Sequence, residues 1–142
     1  MIERTGIAIL IVGLAYGSYQ AFIRWQVARV AHRRTGNELL DMLRPGIPAV
    51  IYFWSETCAP CKTVQKPALE QLQTDLGPDG VQVVAVNALE RPELADSWGV
   101  LGLPTTFIVD RDGRPRRVNH GVVRAENLKH QIALAAGPQP VQ

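Results

Sequence analysis

Cys58 and Cys61 are the only cysteines in the 142-residue chain, and two residues separate them. They follow a strongly apolar stretch, Ala49 to Trp54, and precede a segment with helical patterning. Residues three apart in a helix share a face, so two sulfurs so placed can close a disulfide with little backbone movement. At the first turn of a helix the backbone N–H groups lack partners, and the dipole presents its positive end. A thiolate at Cys58 is stabilised there, which lowers the thiol pKa and raises the fraction able to attack near neutral pH. Pro60 fits the same turn, where its missing N–H costs nothing. The spacing therefore predicts Cys58 as nucleophile and Cys61 as the thiol that resolves a mixed disulfide.

Other readings of the pair fare worse. Zinc sites normally use four ligands, and the chain has no second pair of this kind. Of the three histidines, only His120 is expected near the cysteines, so no metal is expected, and thiol exchange requires no other cofactor. A secreted scaffold stapled by disulfides would carry more cysteines, spread widely. The net charge of +2 gives no electrostatic case for nucleic acid.

The pair needs a frame, and the sequence supplies one. Leu39, Leu40, Met42 and Leu43 lie at helical spacing behind an Asn37 cap, with Met42 expected in the core, and Pro45-Gly46 ends the helix. Ala49 to Trp54 reads as a buried strand and Cys58 to Leu76 as a helix broken or bent at Pro67. After the turn Gly77-Pro78-Asp79-Gly80 come a strand from Val81 to Val86 and a helix from Pro92 to Trp98. A strand from Thr105 to Val109 leads through a hairpin at Asp112-Gly113 into another near Arg117 to Asn119. A helix from Ala125 to Ala136 closes the domain, with Leu128, Ile132 and Leu134 offered for packing. The order predicts an α/β fold: a mixed central sheet with helices on both faces.

Ahead of this domain, residues 5–23 carry no charge, and that length of about 19 residues approaches what a helix needs to cross a hydrocarbon core. Tyr16, Tyr19 and Trp25 are suited to its interface. No small-residue cleavage pattern follows, and Arg24 does, which favours an uncleaved anchor over a signal peptide. The expected organisation is a transmembrane anchor over 1–23, a basic juxtamembrane helix or linker over 24–36, the α/β domain over 37–136, and a tail over 137–142. Arg24, Arg29, Arg33 and Arg34 outweigh Arg4, so the positive-inside rule keeps the domain in the cytoplasm. Those arginines also suit anionic lipid at the membrane surface.

Phe53 to Lys62, containing Trp54-Ser55-Glu56-Thr57-Cys58-Ala59-Pro60-Cys61, resembles the active-site stretch of thioredoxins, and Trp98 to Thr105 resembles that family's second signature. The resemblance runs from Asn37 to Ala136. It implies the thioredoxin fold, thiol–disulfide exchange with protein disulfides as substrates, and a reducing direction, because Ala-Pro between the cysteines is close to the Gly-Pro of reducing thioredoxins. Neither motif specifies an electron donor. By the same resemblance Pro104 is a cis proline beside the cysteines, Leu103 offers its backbone to an extended substrate, and Gly121 lets that backbone approach. Trp54 and Pro60 support the site.

The sequence departs from the family at several positions. Tyr52 stands where a buried aspartate is usual, Ala85 where its lysine neighbour is usual, and Thr57 where a tryptophan often flanks the nucleophile. Deprotonation of Cys61 is then expected to rely on solvent, with the substrate thiolate and Glu56 as the alternatives. Pro67 also lies one residue further from Cys61 than the kink proline commonly does. An anchored domain of this kind resembles bacterial tethered thioredoxin-like proteins that work outside the cytoplasm, opposite to the charge rule. A non-enzymatic module holding a membrane partner, with Arg114, Arg116 and Arg117 as its surface, is the alternative; two intact cysteines weigh against it.

Overall fold

A computed structural model describes residues 2–32 and 38–137. The Asn37 cap, Thr35-Gly36, Arg33, Arg34 and residues 138–142 lie outside the described residues, as do the side chains of Arg4, Arg29 and His32.

Helix α1 runs from Ile2 to His32 without interruption, and its stretch Gly6–Ala28 is long and apolar enough to cross a membrane by length and composition. The short α2 (Glu38–Asp41) follows, then β1 (Ala49–Trp54). A π-helical turn (Cys61–Gln65) runs directly into α3 (Lys66–Leu76). Next come β2 (Gln82–Asn87), α4 (Pro92–Ser97), β3 (Thr105–Val109), β4 (Pro115–His120) and α5 (Ala125–Ala136). The sheet order is β2-β1-β3-β4, with β1 parallel to β2 and antiparallel to β3, and β3 antiparallel to β4. A mixed sheet covered on both faces is the expected α/β architecture.

Side chains alternate across β1 and so divide the core in two. Val50 and Tyr52 join Leu69 and Leu72 of α3 and Leu128 and Ile132 of α5 on one face. Ile51 and Phe53 join Leu39, Trp98 and Phe107 on the other. There, Trp98 and Phe107 meet edge to face with ring centroids 4.9 Å apart, an arrangement that adds to the area they bury.

The last part of α1 completes that second layer. Ile23 and Val27 pack against the Trp98 cluster, and the Gln26 amide donates to the Gly99 carbonyl at 2.5 Å. Gln26 is only 5% exposed. Gly99 has φ +69°, and a Cβ there would meet the Gln26 amide nitrogen at 2.9 Å, so glycine alone suits the contact. Residues before this seat, among them Ile9, Leu10 and Val12, keep their apolar side chains exposed.

Two packing expectations need correction. Met42 is 62% exposed rather than buried, because α2 has already ended at Asp41 and Leu39, Leu40 and Leu43 occupy the inward positions. Leu134 is 65% exposed, because Leu128 and Ile132 fill the stripe that α5 turns to the sheet. The helix over the cysteines is also not broken at Pro67. A π turn precedes it, and the proline falls in the first turn of α3, where it is tolerated.

Candidate active site

β1 ends at Trp54, and a short loop carries the chain into helical conformation at Ala59. The Cys58 N–H donates to the Ser55 carbonyl at 3.2 Å, and the Ser55 and Thr57 hydroxyls are 3.2 Å apart. This fixes the loop, while Thr57 itself points outward and is exposed. Cys58 and Cys61 form a disulfide with a Cα–Cα distance of 5.3 Å. The two sulfurs differ in access: Cys61 is fully buried, and Cys58 is partly exposed. The Cys61 N–H points at Cys58 Sγ from 3.3 Å. A donor so placed favours an anionic sulfur at Cys58.

The second signature leads into β3. The Leu103–Pro104 bond is cis. Leu103 packs against the cluster that contains both cysteines. The Gly121 N–H donates to the Pro104 carbonyl at 2.9 Å, and Gly121 has φ +91°, which glycine adopts at no steric cost. Trp54 is half-buried against the cysteine cluster, and Pro60 stands in helical conformation just before the π turn. His120 pairs with Thr105 across β3 and β4 and is exposed, and among the described residues no group of side chains is placed to hold a metal. Glu56 is exposed, as expected.

Gln65 ties the two halves together, and nothing in its sequence context marks it. It is fully buried, accepts from the Val123 N–H at 2.9 Å and donates to the Val123 carbonyl at 3.2 Å. The active-site helix is thereby clamped to the segment just after Gly121. The only signal was a polar residue on the inward side of a helix, which is too common to single out.

Tyr52 and Ala85 stand opposite one another on β1 and β2, as the family comparison of positions implied. Tyr52 is buried, and burial pushes its phenol up to about 12. It stays protonated across the physiological range and donates to the Cys61 carbonyl at 2.9 Å. Among the described residues no carboxylate takes the aspartate's place.

An accessible cysteine and a buried one, joined at the start of a helix on a mixed α/β sheet, define a thiol–disulfide oxidoreductase. The thioredoxin family model matches residues 34–134. Thioredoxin of Rhodospirillum rubrum is 42% identical over 88 residues, which cover 62% of this chain and 82% of that one. Among solved structures, the oxidised mitochondrial thioredoxin 3 of Saccharomyces cerevisiae superposes with a TM-score of 0.55 at 28% identity, over 66% of this chain and 81% of that one. StoA of Bacillus subtilis shares the fold, with a TM-score of 0.53 at 22% identity over 63% and 85%. The chain belongs to the thioredoxin family, carrying in addition a long apolar helix at its N-terminal end.

Proposed function

We propose that this protein reduces disulfides in protein substrates from a membrane anchor. Cys58 attacks a substrate sulfur, forming a mixed disulfide and releasing the other substrate sulfur as a thiol. Cys61 then attacks Cys58 Sγ, closing the internal disulfide and releasing the second substrate thiol. The observation that carries this order is the asymmetry of the pair: Cys58 is partly exposed with a backbone N–H aimed at its sulfur, and Cys61 is buried behind it. Leu103 and Gly121 present backbone to an extended substrate segment beside Pro104, in the manner of strand addition. Trp54 and Pro60 hold the loop and the helix start. Residues 1–23 form a single-pass anchor in contact with lipid, and the arginine excess behind it keeps the domain in the cytoplasm.

The test uses the full chain in detergent micelles with insulin as disulfide substrate. Dithiol-dependent reduction is expected from the wild type and abolished in Cys58→Ser. Cys61→Ser is expected to retain the substrate as a mixed disulfide on Cys58. Equal activity of wild type and Cys58→Ser would discard the proposal.

A further inference from the structure

An α-helical carbonyl accepts from the N–H four residues on, whereas in a π turn it accepts from the fifth. Here the Cys61 carbonyl accepts from the Lys66 N–H, so the residue that displaces Pro67 is absorbed in one widened turn that begins at the resolving cysteine. Such turns occur often at functional sites. The same carbonyl has a second lone pair, and the Tyr52 hydroxyl fills it at 2.9 Å. Tyr52 thus grips the backbone of Cys61 from the strand below. Across the ladder, Ala85 is small and exposed, and a cleft of about 670 Å³ opens between β2 and α3. Cys61 and Tyr52 line its inner wall, Cys61 showing no surface to solvent while the disulfide is closed, with Glu56, Lys62, Lys66 and Glu70 as the charged groups around it. A polar-rimmed space of that size admits water.

We infer that Tyr52 is a positioning residue for the resolving step, holding the widened turn so that Cys61 Sγ faces Cys58 Sγ, while the cleft left by Ala85 lets the Cys61 thiol pass its proton to water. The inference rests on the thiol-exchange reading above. In the step, the Cys61 proton goes to water in the cleft, and the Cys61 thiolate attacks Cys58 Sγ. The Cys58–substrate S–S bond breaks as the Cys58–Cys61 bond forms, and the substrate sulfur leaves with the electron pair and takes a proton from solvent. No other oxidant or reductant is needed.

Stoichiometric 5,5′-dithiobis(2-nitrobenzoate), mixed rapidly with the reduced full chain in micelles, separates the two events. The first thionitrobenzoate released reports attack by Cys58, and the second reports resolution by Cys61. Tyr52→Phe is expected to keep the first phase and to slow the second about tenfold, with its pH midpoint unmoved, because positioning rather than basicity is lost. Ala85→Leu, at an exposed position, is expected to raise the midpoint of the second phase by about one pH unit, since a drier Cys61 ionises less readily. Second phases like wild type in both variants would overturn the inference, as would equal slowing of both phases by Tyr52→Phe. Ala85→Leu reads the water route whether or not Tyr52→Phe folds. Failure of the exchange reading itself looks different: the wild type would release no second thionitrobenzoate and form no internal disulfide.

Discussion

Gln65 illustrates what one buried amide contributes. Gln65→Leu leaves the N–H and C=O of Val123 unpaired beneath the active site. Denaturant unfolding should show a loss of about 2 kcal/mol, the scale of unsatisfied buried groups. Trp98→Ala removes the largest fully buried side chain and should cost about 4 kcal/mol in the same measurement. Tyr52 gives an alkaline signature. Its phenol is raised from 10.0 to about 12 in the folded chain by burial, so folding favours the protonated form. The corresponding stability is fully present below pH 10 and is lost as pH rises toward 12. Denaturation midpoints between pH 9 and 12 should fall less steeply in Tyr52→Phe than in the wild type; parallel curves would refute this. At this scale the cysteines were legible because their chemistry is written in a four-residue spacing. Gln65 was not, because its partner lies 58 residues away and nothing local marks the pairing. Tyr52 was legible as a departure from the family, but its acceptor was hidden until the extra residue in the helix was seen as a π turn.

Among the elements, β1, β3 and α5 fall on the residues their patterning predicts, since a wholly buried apolar run and a well-spaced helical stripe leave little choice. β2 is displaced by one residue, and β4 begins two residues earlier than expected, at Pro115. Asp110 explains the latter: one of its carboxylate oxygens accepts from the Asp112 and Arg114 N–H groups, and the other from Arg116 at 2.6 Å, which orders the hairpin directly into the strand. The end of α1 is the least legible element. In sequence it reads as a basic extension, yet Ile23, Gln26 and Val27 form a seat against Gly99 and the Trp98 cluster. Gly99→Ala tests that seat, combining a left-handed φ with a Cβ pressed on Gln26. A loss of about 1–2 kcal/mol is expected, whereas Gly102→Ala, where a Cβ meets nothing within 4 Å, should change stability little. Equal effects in the two variants would deny the helix its docking role.

On the scale of the whole molecule, one helix has two unlike parts. Its earlier part exposes Ile7, Leu10, Val12 and Leu14, and its later part is a component of the domain's second layer. The exposed apolar part therefore continues directly, in one helix, from the part seated on the domain. The cytoplasmic side proposed above, from the balance of arginines, has its own test. In intact cells, an impermeant alkylating reagent should then label the reduced cysteines only after lysis; rapid labelling before lysis would reverse the orientation.

The ionisation of Cys58 is measured most directly by the rate of iodoacetamide alkylation of the reduced full chain in micelles as a function of pH. Cys58 should react with a midpoint at least about one unit below the 8.5 of a free thiol, with Cys61 untouched until the fold is opened. A Cys58 midpoint near 8.5, or alkylation of Cys61 first, would contradict the account.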